Sequence, residues 1–262
     1  MGIVNVTPDS FSDGGRFFDS GRALDHARQL LEEGADILDI GGESSRPGAQ
    51  PVAVEEELRR VLPVLERLVE LPVPVSVDTS KPEVMRRAIA AGSAMINDIL
   101  ALRAPGALDA VADSPVAVCL MHMHGEPRTM QQAPHYRDVV GEVEAFLAER
   151  AAAAIAAGIG RDRILLDPGY GFGKTLRHNL DLIRALTRLR KAGFPLLAGL
   201  SRKAMFGEIA GADAANRVHA SAAGALLAVQ RGASIVRVHD VAATRDCLLV
   251  LRAIDDTTSS VQ

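Results

Sequence analysis

The sequence predicts an α/β fold, a single-domain (β/α)8 TIM barrel, on three observations. Short apolar runs alternate with amphipathic segments whose apolar residues recur at helical spacing. A strand that is regularly followed by a helix favours parallel strands with right-handed crossovers. The length of 262 residues accommodates eight such units. A doubly wound open sheet is the alternative that this pattern leaves open.

The elements follow one another with little between them. The predicted strands are, in chain order, GIVNVT, DILDIGG, VPVSVDTS, AMINDI, VAVCLMH, RILLDPG, PLLAGLS and SIVRVHD. Helical patterns follow these runs, for example SGRALDHARQLLEEGA after the first and LRHNLDLIRALTRLRKAG after the sixth. Several helical patterns end at a glycine, which is typical of a helix C-terminus. These glycines are Gly34, Gly92, Gly158, Gly193 and Gly232. We expect one domain over residues 1–262, with a polar tail from about 255 to 262.

The composition limits the class of protein. Hydrophobic residues make up 48% and aromatic residues 3%, so the core must be aliphatic. A net charge of −4 gives no electrostatic basis for nucleic acid binding. Cys119 and Cys247 lie in apolar runs, which predicts two buried thiols in a reducing compartment. Because no apolar run has the length of a membrane span, we expect a cytoplasmic protein without a membrane partner.

Polar residues stand near the C-terminal ends of the predicted strands. They are Asn5, Asp39, Asp78, Asn97, His122, Asp167, Arg237 and His239. In a barrel these ends converge on the rim that carries the active site. A strand-end cap is the simpler explanation for each residue taken singly, but it does not explain the whole set.

Side-chain alternation places charge inside the barrel. In SIVRVHD, Val236 and Val238 share the face that suits the helices, so Arg237 and His239 point inward. Asp78 points inward by the same argument. An isolated charge there would cost several kcal/mol. We therefore expect a ligand, with an internal salt bridge as the alternative.

The segment DPGYGFGKT, at residues 167–175, resembles a phosphate-binding P-loop, which reads G-x-x-x-x-G-K-[ST]. Pro168 stands where the first glycine belongs and has no N–H to donate, and Asp167 would repel phosphate. We therefore predict that this is not a nucleotide site and that Lys174 is a solvated lysine without a catalytic role. Barrel anion sites commonly lie after strands seven and eight, where residues 201–203 and 237–239 predict a cluster of cations.

The motifs together resemble the dihydropteroate synthase family. They are NVTPDSFSDGG, GGESSRPGA, VDTSKP, NDI, LMHMHGEPRTMQ, DPGYGFGKT, GLSRK and RVHDV, and they span nearly the whole chain in the family's order. The resemblance implies a (β/α)8 barrel enzyme of folate biosynthesis. Such an enzyme joins 6-hydroxymethyl-7,8-dihydropterin pyrophosphate to p-aminobenzoate, releases pyrophosphate, uses Mg²⁺ and is inhibited by sulfonamides. The family is commonly homodimeric.

The resemblance also implies roles for individual residues. The implied pterin site consists of Asp78, Asn97, Met121, Asp167, Gly199 and Lys203. The implied pyrophosphate site consists of Arg46, Arg237 and His239. The implied p-aminobenzoate site consists of Phe11, Ser45, Pro47, Phe172 and Ala204. Catalysis would rest on Asp78, Asp167, Lys203 and Arg237, and Asn5 would help to coordinate Mg²⁺.

Two departures and two rival functions accompany the resemblance. Many members have threonine at the position of Ser45 and serine at the position of Ala204. One rival is a methyltransferase that acts on a folate methyl group with the same pterin-binding barrel. The other is a metal-dependent hydrolase, because His122-x-His124 is a pattern that can ligate zinc.

Overall fold

Parallel strands alternate with helices in the computed structural model, which describes residues 1–6, 20–46, 48–211, 213 and 216–256. The strands of this described part are β1 (Gly2–Asn5), β2 (Leu38–Gly41), β3 (Val75–Asp78), β4 (Met95–Asp98), β5 (Ala117–Met121), β6 (Ile164–Asp167), β7 (Leu197–Ala198) and β8 (Ile235–Val236). Its helices are α1 (Ser20–Glu32), α2 (Val54–Leu68), α3 (Pro82–Ala90), α4 (Ala107–Ala112), α5 (Val139–Ala156), α6 (Leu176–Arg184), α7 (Leu186–Leu189), α8 (Ala204–Ala210), α9 (Val218–Gln230) and α10 (Val241–Asp255). The predicted order of elements is confirmed.

Backbone hydrogen bonds join the strands into a closed ring. Strands β1 to β6 pair in parallel in chain order, and β7 pairs with β8. A bridge between Leu166 and Leu196 connects the two groups. A second bridge, between Gly2 and Val238, brings the last strand back to the first, and Ile3 N donates to Val238 O at 3.0 Å. The barrel is thus confirmed over the open sheet.

The two faces of the strands have different surroundings. Residues that face outward, such as Val4, Val77 and Val236, belong to one large core with the helices. A smaller apolar cluster fills the inside of the barrel, and its buried members are Met1, Met95, Cys119, Leu165 and Leu197. In β4 and β6 a polar residue follows two positions after the apolar one, as Asn97 follows Met95. Because side chains alternate along a strand, these polar groups lie above the apolar layer, at the C-terminal rim.

Two expectations need correction. Cys119 is buried in the inner cluster, but Cys247 on α10 is only half-buried because its helix face borders solvent. The pattern after the sixth strand is not one helix, since it divides into α6, α7 and a 3₁₀ turn over Arg190–Ala192.

The predicted helix ends agree with the structure. The five glycines predicted to end helical segments have φ between 76° and 104°, the left-handed region that glycine enters without strain. Across the described residues, no helix is both long enough and apolar enough to span a bilayer.

Candidate active site

A guanidinium lies between two carboxylates at the C-terminal rim. Arg237 Nε lies 2.6 Å from Asp39 Oδ2, and Arg237 Nη2 lies 2.9 Å from Asp78 Oδ2. Burial by itself would lower the pKa of Arg237, but the two carboxylates outweigh it and raise the pKa. Burial raises the pKa of Asp78, and Arg237 offsets part of that rise. The internal salt bridge is therefore present, while the Arg237 side chain keeps 20% of its surface exposed.

Asp167 is a second carboxylate at the same rim. It ends β6 and is 5% exposed, and its Oδ1 accepts a hydrogen bond of 2.7 Å from Gly169 N. Its Oδ2 faces Gly199, where an added Cβ would lie 3.9 Å from that oxygen. Burial raises the pKa of Asp167 to about 6, against the smaller lowering effects of the Gly169 N–H and of Lys203. Asp167 is thus a strong hydrogen-bond acceptor in a dry setting.

Lys203 and Phe172 form an adjacent pair. The Lys203 Nζ lies 4.2 Å from the centre of the Phe172 ring, which is a cation–π distance. Burial lowers the pKa of Lys203 to about 8, while Asp167 opposes the shift. Phe172 is itself buried and packs in an apolar cluster with Met121, Met123 and Met130. The structure therefore brings together four predicted site residues. The resemblance assigns Asp167, Lys203 and Met121 to the pterin and Phe172 to p-aminobenzoate.

His239 is not a cation, which corrects part of the predicted cluster after strands seven and eight. Burial, followed by the charge of Arg237, lowers the pKa of His239 to about 3. Its Nδ1 lies 3.0 Å from Ser201 Oγ, and its backbone N donates to the same oxygen at 3.1 Å. Arg202 pairs with Asp240 at 2.6 Å, so its charge is already matched by a carboxylate. Arg237 and Lys203 are thus cations of the cluster after strands seven and eight that remain near the rim.

Four further predicted residues stand on the same rim. Asn97 is buried at the end of β4, in register with Asp78 on the neighbouring strand. Asn5 ends β1 and is half-buried. After β2, Ser45 is half-buried and Arg46 is exposed. The charge of Arg46 is the smallest of the contributions that lower the pKa of His239.

The remaining predicted residues have less structural support. Ala204 is the exposed first residue of α8, which follows Lys203. Phe11 and Pro47 lie outside the described residues.

Lys174 is buried, which contradicts the prediction of a solvated lysine. It is 3% exposed, and its Nζ lies 2.9 Å from His122 Nδ1, 2.9 Å from Gly169 O and 3.0 Å from Phe172 O. The helix-like pattern that starts at Leu176 suggested an open helix start. The chain instead turns Lys174 back under its own loop.

The zinc alternative finds no support in the described residues. They contain no group of three or more His, Cys, Asp or Glu side chains that could hold a metal ion. His122 is already engaged by Lys174, and burial lowers its pKa to about 2.

Two groups that position the site carried only a weak signal in the sequence. The sequence pattern marks Asp39 only as one of several polar residues at strand ends. It does not identify Arg237 as the partner of Asp39. Lys81 bridges Glu43 and the buried Glu57, and Glu43 Oε2 accepts a hydrogen bond of 3.0 Å from Val52 N. This network fixes the start of the loop that carries Ser45, and the sequence gives no spacing that would have identified it.

Comparisons with known proteins agree with this arrangement. The family model described as "Pterin binding enzyme" matches residues 1–239. A dihydropteroate synthase of Neisseria meningitidis serogroup C is 55% identical over 259 residues, which cover 97% of this chain and 92% of that protein.

Solved structures are similar over the same extent. A dihydropteroate synthase of Xanthomonas albilineans with 4-aminobenzoic acid has 59% identity and a TM-score of 0.93, covering 98% of this chain and 92% of that chain. The complex of that enzyme with 7,8-dihydropteroate has 57% identity and a TM-score of 0.90, covering 98% and 93%. A Yersinia pestis dihydropteroate synthase with a sulfonamide drug has 47% identity and a TM-score of 0.92, covering 97% and 92%.

The raised pKa of Asp167 predicts a pH-dependent effect of Asp167→Asn. A carboxyl whose folded pKa is about 6, against an ordinary 3.8, costs stability that appears as pH rises from about 4 to about 6 and is absent below that window. Asp167→Asn should therefore stabilise the ligand-free protein by about 1–3 kcal/mol at pH 7.5 and by much less at pH 4.5. Urea unfolding at the two pH values measures this difference.

The half-buried Asp181 provides a control of opposite sign, because hydrogen bonds from Arg177 and Arg184 lower its pKa. Asp181→Asn should not stabilise the protein at pH 7.5. An equal effect of Asp167→Asn at both pH values would contradict the assigned burial of its charge.

Proposed function

The chain belongs to the dihydropteroate synthases of the pterin binding enzyme family, and we infer that it condenses 6-hydroxymethyl-7,8-dihydropterin pyrophosphate with p-aminobenzoate. The products are 7,8-dihydropteroate and pyrophosphate, so the enzyme acts in folate biosynthesis. The observation that carries the assignment of its site is the juxtaposition at one rim of acceptor carboxylates, Asp78 and Asp167, with the cations Arg237 and Lys203.

The carboxylates suit the pterin. A pterin presents a guanidine-like edge of adjacent N–H donors, and a carboxylate can accept two such donors side by side. Asp167 engages Oδ1 with Gly169 and directs Oδ2 toward Gly199, so we assign the pterin donors to that side. Asn97 and Asp78 stand in register on neighbouring strands and complete the polar surface. Met121 lines its apolar side.

The cations suit the leaving group. In the reaction the arylamine nitrogen bonds to the pterin CH₂ carbon, the C–O bond to pyrophosphate breaks, and the amine releases a proton. Negative charge therefore develops on pyrophosphate, where Arg237 and the exposed Arg46 can stabilise it. His239, being neutral, contributes a hydrogen bond instead of a charge. The amine is neutral at pH 7, so the chemistry needs no strong base.

Asn5 is the residue that we assign to Mg²⁺. Its amide oxygen is a hard ligand at the rim, half-buried at the end of β1. A cation that keeps several waters and takes phosphate oxygens needs few protein ligands, which fits a described rim without a cluster of free carboxylates. When bound, Mg²⁺ would neutralise charge on the pyrophosphate.

The second substrate is assigned to the Phe172 side of the rim. The buried Phe172 ring beside Lys203 and the half-buried Ser45 offer an apolar wall and a hydroxyl. Phe11 and Pro47 keep the roles implied by the resemblance as predictions. Ala204 offers a backbone N–H at the start of α8, without the hydroxyl that many relatives have there. Sulfonamides would compete at this place.

A homodimer and a cytoplasmic location also stay predictions. We propose that the dimer forms through α9 and α10, which pack on each other and expose large apolar side chains. These are Leu227, Leu249, Val250 and Ile254, with exposures of 42%, 46%, 60% and 72%.

Turnover should require both organic substrates and a divalent cation. Pyrophosphate release from the dihydropterin ester, followed with a coupled assay, should depend on p-aminobenzoate and fall to background in excess chelator, with recovery on adding Mg²⁺. A folate methyltransferase would release no pyrophosphate, so a silent assay with both substrates present would favour that rival. Full activity in excess chelator would contradict the assignment of Mg²⁺ to Asn5 and the substrate.

The proposed dimer surface is tested by Val250→Lys. A buried charge at the contact should convert the dimer to a monomer, measured by light scattering after size exclusion. Ile155→Lys on α5 is the matched control, because Ile155 is 42% exposed and its helix packs on α6, outside the proposed surface of α9 and α10. A dimer that persists in Val250→Lys would place the contact elsewhere.

A further inference from the structure

Lys174 has an unusual environment for a lysine. The residue is 3% exposed, and all four acceptors around its Nζ are uncharged. They are His122 Nδ1, Gly169 O, Phe172 O and, at 3.4 Å, His122 O. Burial lowers its pKa to about 7, and Asp167 only partly opposes this. A residue that is costly to bury in this way needs a compensating role.

The acceptors belong to the two loops that follow β5 and β6. The loop after β6 has glycines in the left-handed region at 169, 171 and 173. A side chain at Gly169 would collide with the carbonyl of His122, and one at Gly173 with the carbonyl of His124. The backbones of the two loops are therefore in direct contact, and the buried Lys174 lies between their carbonyls. Lys174 donates to the carbonyls of His122, Gly169 and Phe172, and Gly169 O also accepts from Phe172 N at 3.2 Å.

The carbonyls bound by Lys174 lie next to substrate-facing groups. Phe172 presents its carbonyl to the ammonium and its ring to Lys203 at 4.2 Å. Gly169 presents its carbonyl to the same ammonium and its N–H to Asp167. Asp167 is held independently because it pairs with Met121 in the sheet, whereas Phe172 is five residues beyond this last paired residue of the strand.

We propose that Lys174 is a positioning residue for the reaction inferred above: by bonding the carbonyls of Gly169 and Phe172 as well as His122, it fixes the Phe172 ring where p-aminobenzoate binds. This inference rests on the proposed function, since it requires p-aminobenzoate on the Phe172 side of the rim. The proposal also explains the lysine in a segment that resembles a P-loop but binds no phosphate. The Lys174 ammonium donates to carbonyls of its own loop.

The test compares two cationic side chains that donate to backbone carbonyls at opposite ends of β6, namely Lys174 and Arg163. Lys174→Met keeps most of the side-chain volume and removes the donors. Arg163→Met is the matched control, because Arg163 donates to Val116 O and Val111 O, both at 2.9 Å, before β6 begins. Both variants should lower the urea midpoint. Lys174→Met should raise KM for p-aminobenzoate about tenfold or more and KM for the pterin ester by less than about threefold, whereas Arg163→Met should change neither.

The outcomes distinguish a positioning role of Lys174, a purely stabilising role and a failure of the proposed function. An unchanged KM for p-aminobenzoate in Lys174→Met would reduce Lys174 to a stabilising residue and overturn the proposal. If Lys174→Met does not fold, Lys174→Gln keeps two N–H donors without the charge, and it should raise the same KM by about threefold; an unchanged value would again overturn the proposal. A wild-type protein that turns over no p-aminobenzoate would instead refute the proposed function.

Discussion

The placement of Arg237 between Asp39 and Asp78 is the constraint on which the rim depends. Its partners come from β2 and β3, 198 and 159 residues away along the chain, so the contact exists only when the barrel has closed. Removing one member of a buried ion pair costs about 3–5 kcal/mol, because the other charge is left unpaired. The stability of the closed barrel therefore depends on the Arg237 guanidinium at its rim, next to the carboxylate assigned to the pterin.

Around this centre the site divides into two parts with different kinds of support. The pterin side is built from residues on paired strands, such as Asn97 on β4 and Asp167 on β6, whose positions follow from the sheet register. The side that we assign to p-aminobenzoate consists of loop residues such as Phe172, whose position we propose to depend on Lys174. Groups on strands are held by the barrel itself, while groups on loops need dedicated partners.

The difference explains what could be predicted from the sequence. Alternation along β3 and β8 was enough to place Asp78 and Arg237 inside, because period-2 patterning decides which face a residue occupies. The motifs assigned roles to residues on both sides by resemblance. The environment of Lys174 was not predictable, because the turn of its loop depends on glycines packed against a different loop. The neutrality of His239 also depends on burial, which no local pattern contains. Phe11 and Pro47 remain predictions from resemblance.

The central claim is that Arg237, fixed by two buried carboxylates, binds the pyrophosphate group. The most direct test is calorimetric titration of Mg²⁺-pyrophosphate into three proteins. These are the wild type, Arg237→Met and Arg202→Met. Arg202 is the matched control, because it belongs to the same end of the barrel but pairs with Asp240. The account predicts that Arg237→Met loses about tenfold or more in affinity, since charge-assisted hydrogen bonds are lost, while Arg202→Met stays near the wild-type value. Equal affinity of Arg237→Met and wild-type protein for Mg²⁺-pyrophosphate would contradict it.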